Sequence, residues 1–426
     1  MHLMHIELPY GKTKLTAELP DGLDVSILDM PATKVDKTEE EMIDAAMRNP
    51  IGSPLLEDML KPDDTVVIVV NDQTRPGPNV LIMSELMKRL DKVGVPDENV
   101  TIIFATGSHR SPTAEEARKI LGDEAYNRFK TVDHHCMVDE ENKYIGDTKA
   151  GIPVYINKVA AECSFLITTG LITQHHCAGY SGGRKSIVPG IAGFTTFHIH
   201  HSFPVYQYEP AMGFMHGNPF HNLAVDAART ANVRFIVNAI QDAHKKVVGF
   251  VAGDLEAAHE EGVKLCESVT MLEVDKPADI LISSPGGFPR DIDLYQSQKA
   301  ISVSELICNP NCVFVLVAEC SDGFGGGSFR QIMVDHADPD EIIDLYAREG
   351  FTPGSNKAFN YARALKKGRV IIVSPHLSKE SVEEAHLEWA GTLQEAVDSA
   401  LEGRKDPVVA VIPSASGLCA RVRKQD

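Results

Sequence analysis

Thr65-Val66-Val67-Ile68-Val69-Val70, followed at once by Asn71-Asp72-Gln73-Thr74-Arg75-Pro76-Gly77-Pro78, is the stretch whose reading decides the fold. A short run of β-branched aliphatics fits a pleated strand better than a helix, because branching at Cβ crowds the preceding helical turn. The polar loop with Pro and Gly then ends it. Beyond the loop, Val80 to Leu90 reads as a helix, since Met83, Leu86, Met87 and Leu90 share one face. Similar Val- and Ile-rich runs recur at 101–105, 164–169 and 234–239, and a second set lies at 279–283, 312–318, 369–374 and 407–412. Apolar runs alternating with helical periodicity indicate an α/β fold, with each set building its own mainly parallel sheet. The expected architecture is two α/β domains with an active-site cleft between them. Lys276 and Pro277 mark the boundary, giving an N-terminal domain over 1–275 and a C-terminal domain over 276–405. The terminal segment 406–426 is expected to return to the N-terminal domain.

Composition narrows the function classes. A chain of 426 residues is too long for one ordinary core and comfortable for two. With 43% hydrophobic and 24% charged residues, it lies in the range of folded globular proteins rather than disordered ones. The formal charge of -19 repels phosphate backbones and anionic membranes, which excludes nucleic acid and membrane surfaces as expected partners. An anionic small substrate would therefore need locally clustered Arg and Lys. The longest purely apolar run, Cys312 to Ala318, falls far short of the roughly 20 residues that span a bilayer. Met1 to Leu15 mixes His, Glu and Lys and lacks the apolar centre of a signal peptide, so a cytoplasmic address is expected. The eight cysteines include no CxxC pair and read as reduced, mostly buried thiols.

Three loops after strands carry the chemistry. Arg75 offers a planar, permanently charged fork for carboxylate or phosphate, or pairs with Asp72 in its own loop. In Thr106-Gly107-Ser108-His109-Arg110, a tight turn places His109 at the same rim, where an imidazole with pKa about 6.5 can exchange a proton in turnover. The densest stretch is Thr173-Gln174-His175-His176-Cys177-Ala178-Gly179-Tyr180-Ser181-Gly182-Gly183-Arg184-Lys185-Ser186. Its glycines suit close backbone approach to a ligand, phosphate above all. A Walker A loop requires Gly before Lys, and Arg184 stands there instead, so nucleoside triphosphate use ranks below other readings. Lys185 is either a phosphate contact or a covalent attachment point. His198, His200 and His201 add three imidazoles to the pair at 175 and 176, and imidazole is the commonest ligand of borderline metals. If one histidine alone binds metal, a cofactor must complete the coordination. In the second half, Tyr295, Gln296 and Lys299 adjoin on one helix after the loop Ser284-Pro285-Gly286-Gly287-Phe288, and Asp322 to Ser328 forms a further Gly-rich loop.

Asp-x-Thr-Arg-Pro at 72–76, the Thr-Gly-x-His-Arg turn, Gly-Tyr-Ser-Gly-Gly-Arg-Lys-Ser at 179–186, His201 and the Tyr-Gln-x-x-Lys element occur in one order. On these the chain resembles the lactate racemase family that uses a nickel-pincer nucleotide, over essentially its whole length. The resemblance implies a racemase or epimerase of a 2-hydroxy acid. In it Lys185 joins the pyridinium ring of the cofactor, a pyridinium-3,5-bisthiocarboxylic acid mononucleotide, through a thioamide. His201 would coordinate nickel, with a ring carbon and two sulfurs of the cofactor as the other ligands. Asp72, Thr74, Gly182, Gly183 and Ser186 would complete the cofactor site. His109 and His175 would act as acid and base, and Arg75, Tyr295, Gln296 and Lys299 would bind substrate. Hydride transfer through a 2-keto acid is implied, as are cofactor-making proteins as partners. A nucleotide-using enzyme and a non-catalytic cofactor-binding protein are the alternatives.

Two departures stand out. Family members acting on lactate tend to carry an aromatic residue, often Trp, in the second domain; no Trp lies around Asn356, and the single Trp is Trp389. His176 and Cys177 replace an aromatic pair beside the first histidine. Both point to a bulkier or more polar acid than lactate, such as malate or a sugar acid.

Overall fold

The computed structural model describes residues 3–423 and divides into two compact units. One spans Ala32–Gln207 and Gly213–Val269; the other takes the chain up to Pro31, Tyr208–Met212 and everything from Thr270 onward.

In the first unit, Val66–Asn71 is the central strand of a six-stranded sheet. It pairs in parallel with Val100–Ala105 on one side and Phe165–Ile172 on the other. Lys130–Val132 extends the sheet beyond Val100–Ala105, while Val233–Gln241 and the antiparallel Val247–Gly253 extend it beyond Phe165–Ile172. Numbered along the chain, the spatial order is 6-5-4-1-2-3, which reverses direction between Val66–Asn71 and Phe165–Ile172. At such a reversal, neighbouring loops leave toward opposite faces and open a crevice at the carboxyl ends of the strands. Val66, Ile68 and Val70 are fully buried with Met83, Leu86 and Leu90 of the helix Asn79–Val93, which ends at Gly94 in the left-handed conformation. The stripe read from the sequence is thus the packed face.

The second unit is built on an all-parallel sheet in the order Glu388–Ala390, Gly368–Val373, Cys308–Val317, Ala278–Ser283, Val408–Ile412, Asp24–Ile27. Its residues alternate between two cores. Leu281, Phe314, Leu316 and Ile372 pack with the helices Leu294–Ser304 and Ser355–Lys367, whereas Ile280, Val313, Val315 and Ile371 pack with Ile6, Leu8 and Leu19 of a hairpin, Leu3–Tyr10 with Thr13–Pro20. A parallel sheet covered on both faces requires such continuous apolar strands.

The α/β class and the parallel sheets agree with the sequence reading, and every strand run named there is a strand. The division of the chain differs from the expected one. Residues 3–31 join the second unit because the hairpin covers its sheet, and Met271–Val274 pairs in parallel with Cys419–Val422. The terminal segment does not return to the first unit: Val408–Ile412 hydrogen-bonds to Ala278–Ser283.

Candidate functional site

The three loops singled out in the first half all leave the carboxyl ends of adjacent strands, with His109 and His175 following the strands on either side of Val66–Asn71. Asp72 opens the central loop. Its Oδ1 accepts from the Thr74 backbone N–H at 3.0 Å and from Thr74 Oγ1 at 2.6 Å, an Asx turn that fixes the carboxylate. Its Oδ2 lies 2.7 Å from His109 Nδ1. Burial to 2% exposure works to raise the Asp72 pKa, yet the hydrogen bonds from His109 and Thr74 outweigh it and hold the carboxyl below its ordinary range. An ionised Asp72 accepts Nδ1–H and makes Nε2 of His109 the proton acceptor. Arg75 is exposed, with Nη1 3.4 Å from Thr74 Oγ1, and its charge acts on Asp72, His175 and Lys185.

His175 begins a small hairpin: Gln174 pairs with Tyr180 and His175 with Gly179, leaving His176, Cys177 and Ala178 as the loop. Gly179 has φ +73°, and a side chain there would meet the Phe214 carbonyl oxygen at 2.5 Å. His175 Nδ1 accepts the N–H groups of Cys177 and Ala178 at 3.2 and 3.3 Å, so the neutral ring carries its proton on Nε2. Its ring stacks on that of His176 at 4.7 Å. Burial first, then Lys185, His176, Arg75 and His201, push its pKa well below the ordinary histidine value.

The Gly-rich loop turns tightly beneath. Gly183 donates its N–H to Asn238 Oδ1 at 2.8 Å, and Ser186 Oγ donates to the Thr169 carbonyl at 3.0 Å. A Cβ at Gly182 would meet Asn238 Oδ1 and Ile172 Cγ1 at 2.8 Å. The closeness glycine permits is therefore used, at these points, to seat the loop on the sheet, and Gly183 has no amide to spare for a triphosphate. Arg184 is buried, donating to the Ala178 carbonyl at 2.9 Å and to His259 Nε2 at 2.7 Å. Lys185 points the other way. Its Nζ lies 5.7 Å from the centre of the Phe220 ring, and among the described residues it has no carboxylate partner. Burial, then Arg75, with a smaller contribution from Arg184, push its pKa well below that of a free lysine. These influences favour the neutral, nucleophilic form of the amine.

His201 ends the helix Phe194–His200. Its Nδ1 bonds to the Phe197 carbonyl at 3.0 Å and its ring stacks on Phe197 at 4.3 Å, which sets Nε2 as the atom able to take a metal. Burial pushes its pKa down to about 3, so it is neutral and competent as a ligand. His200 is committed differently. Fully buried, it donates from Nε2 to the Phe220 carbonyl at 2.8 Å and packs on that ring. An amine pushed toward its neutral form with no acidic partner among the described residues, a metal-competent imidazole and an aromatic face around Phe220 fit a planar, electrophilic, metal-bearing ring. Asn238, Phe220 and His259 were not singled out in the sequence. Asn238 alone left a signal there, as a polar residue inside the apolar run 234–239.

Tyr295, Gln296 and Lys299 belong to the second unit, on the helix Leu294–Ser304 that follows strand Ala278–Ser283. Asp293 caps it, accepting the Gln296 N–H at 2.6 Å, and Lys299 Nζ donates to Gln296 Oε1 at 2.9 Å. Lys357, buried on the helix Ser355–Lys367, places Nζ 5.2 Å from the Tyr295 ring centre and 3.1 Å from Gln298 Oε1. Trp389 lies elsewhere, on the edge strand Glu388–Ala390, donating to the Ser374 carbonyl.

Known proteins resemble the whole chain. The lactate racemase N-terminal domain family matches residues 10–213 and the lactate racemase C-terminal domain family residues 274–419. A lactate racemase of Lactiplantibacillus plantarum is 36% identical, covering 98% of this chain and 100% of that protein. One of Thermoanaerobacterium thermosaccharolyticum is 34% identical over the same shares. A lactate racemase apoprotein structure from the latter organism superposes with a TM-score of 0.89 at 33% identity, covering 98% of this chain and 100% of that one. A Thermotoga maritima protein at 16% identity and TM-score 0.66, covering 91% of this chain and 98% of that one, shares the fold alone. Among the described residues, no helix is long and apolar enough to cross a membrane.

Proposed function

The chain belongs to the lactate racemase family, and from that premise we propose that it racemises or epimerises a 2-hydroxy acid with a nickel-pincer nucleotide joined to Lys185. The observation that carries the reading is the Lys185 amine, turned toward Phe220 with no acidic partner among the described residues and pushed toward its neutral form. His201, oriented by the Phe197 carbonyl, would hold the nickel. When bound at Lys185 and His201, the cofactor would supply a reversible hydride acceptor for the substrate carbon. That chemistry suits the problem, because loss of the same hydrogen as a proton would leave a carbanion beside an ionised carboxylate.

The chain's own residues do the rest. Arg75, exposed on the loop after Val66–Asn71, holds the carboxylate and keeps the 2-keto acid in place while it presents its other face. His109 takes the hydroxyl proton at Nε2, and the buried Asp72 stabilises the resulting imidazolium through Nδ1–H. His175 works on the opposite side. Burial and the surrounding cations make its charged form a ready proton donor to the returning oxygen. Lys357 places a cation against the Tyr295 ring, which supports a more polar acid such as malate or a sugar acid.

The test is to produce the chain together with the cofactor-making enzymes and nickel, and to measure the mass of the peptide carrying Lys185. Enantiopure 2-hydroxy acids are then converted in heavy water and resolved by chiral chromatography. Hydride return keeps the original hydrogen on carbon. An unmodified Lys185, or deuterium entering that position during inversion, overturns the reading.

A further inference from the structure

We propose that the hairpin loop formed by His175, His176 and Cys177 is a second metal site, one that binds a thiophilic divalent cation such as zinc and thereby holds His175 out of catalysis. Metal capture by this loop goes beyond the proposed activity; its inhibitory consequence rests on His175 being an acid-base group.

Each of the three residues offers one donor, and the three donor atoms lie within 4.8 Å of one another. Zinc bonds of about 2.0 Å to imidazole nitrogen and about 2.3 Å to thiolate put tetrahedral ligands roughly 3.3–3.8 Å apart, so the loop needs to contract by about an ångström. The local structure permits this. The donors sit at the turn of a short hairpin, closed by Gly179 in the left-handed conformation. The rings of His175 and His176 are already stacked side by side, centres 4.7 Å apart and planes 16° from parallel. The contacts given up include the two long N–H bonds to His175 Nδ1, at 3.2 and 3.3 Å.

The donor set decides the ion. Two neutral imidazoles and a thiolate select a borderline or soft cation over magnesium or calcium, and three protein ligands leave a fourth position for water. Cys177 loses its proton on binding, so capture is coupled to proton release. His201, the proposed nickel ligand, lies on a different element and is not part of the donor set. Nickel chemistry and zinc capture thus use separate residues. Their link is His175, whose imidazole, with zinc on one ring nitrogen, cannot form the doubly protonated imidazolium that donates a proton to the substrate.

Zinc and cobalt are titrated into the purified full-length chain made without the cofactor enzymes, with circular dichroism confirming that each variant folds. The wild type should bind one equivalent, with thiolate-to-cobalt charge-transfer absorption. Cys177→Ser should abolish that absorption, and both Cys177→Ser and His176→Gln should weaken zinc by at least about tenfold, whereas His201→Gln should leave it unchanged. Failure to bind, binding without the thiolate signature, or loss in His201→Gln alone overturns the site. In the loaded enzyme, zinc should inhibit the wild type at concentrations at least about tenfold below those needed for Cys177→Ser. Equal sensitivity of the two overturns the inhibitory role, while a failure of the racemase reading would show instead as no activity in the absence of zinc.

Discussion

Replacing Asp72 by Asn keeps the shape of the central loop and removes the charge that sets the His109 tautomer. Asp72 Oδ2 is 2.7 Å from His109 Nδ1, and the carboxylate is 2% exposed, so water does little to screen the pair. A hydrogen bond to a buried charge contributes roughly 1.5–3 kcal/mol. At about 1.4 kcal/mol per factor of ten, its loss alone slows proton transfer by about ten- to a hundredfold. The asparagine side chain does more than omit the bond. With its oxygen retained by Thr74, its amide N–H faces His109 Nδ1 and favours the tautomer with the proton on Nε2, where the base should be. Wrong-tautomer variants of His–Asp pairs lose up to about 10⁴ in rate. The expected result is therefore a fall in kcat of at least about a hundredfold for Asp72→Asn, in both directions of the reaction. Asp72→Ala should retain more activity than Asp72→Asn, because it presents no donor to Nδ1. The assay is chiral chromatography of product from each enantiomer, with the Lys185 adduct measured by mass to separate catalysis from loading. Fully loaded Asp72→Asn within about threefold of wild type, or no less active than Asp72→Ala, would refute the assigned role.

Other substitutions probe different parts of the site. Lys185→Arg has no reactive amine at neutral pH, so mass spectrometry should find no adduct while the protein stays folded. Arg75→Lys should raise KM by about tenfold with the adduct intact, since a point charge replaces a bidentate fork. Asn238→Ala leaves the Gly183 N–H buried without its acceptor, so denaturant unfolding should show a loss of about 1–3 kcal/mol and the adduct yield should fall. Buried His134 has its pKa pushed down to about 4 by desolvation, so below about 6.5 the unfolded chain takes up a proton that the folded one refuses. Stability should fall by about 2 kcal/mol from this group between pH 6.5 and pH 5. His134→Gln should flatten that slope in unfolding curves.

Strands and their order in the chain were legible because parallel strands buried on both faces must be continuous apolar runs, as Val66–Asn71 and Cys308–Val317 are. Which strand belongs to which unit was not. The hairpin Leu3–Tyr10 with Thr13–Pro20 alternates apolar and polar residues like any half-exposed ribbon, and nothing local tells it to lie on a sheet assembled from residues 278 to 412. The destination of 406–426 is hidden for the same reason: pairing of Val408–Ile412 with Ala278–Ser283 is a contact over more than a hundred residues.

The candidate site was more legible than the domain plan, and the sheet explains why. In the first unit the strand order reverses beside Val66–Asn71, so the loops that follow it and its two neighbours share one rim. Polar residues directly after a buried strand singled out Arg75 and His109, and the Gly-rich stretch singled out His175 and Lys185, while the roles given to them, and to Asp72, came from the family resemblance. What the sequence could not supply is direction. Arg184 and Lys185 are adjacent and chemically alike, yet one turns into the protein against Ala178 and His259 while the other faces Phe220. His200 and His201 divide in the same way, the first spent on the Phe220 carbonyl and the second set by Phe197 so that Nε2 is the atom able to take a metal. The partners that make these choices, His259, Phe220 and Asn238, come from segments 20 to 80 residues away and carry no motif of their own. Motifs therefore locate the candidate residues, and the packing of unremarked neighbours decides which way each of two similar side chains turns.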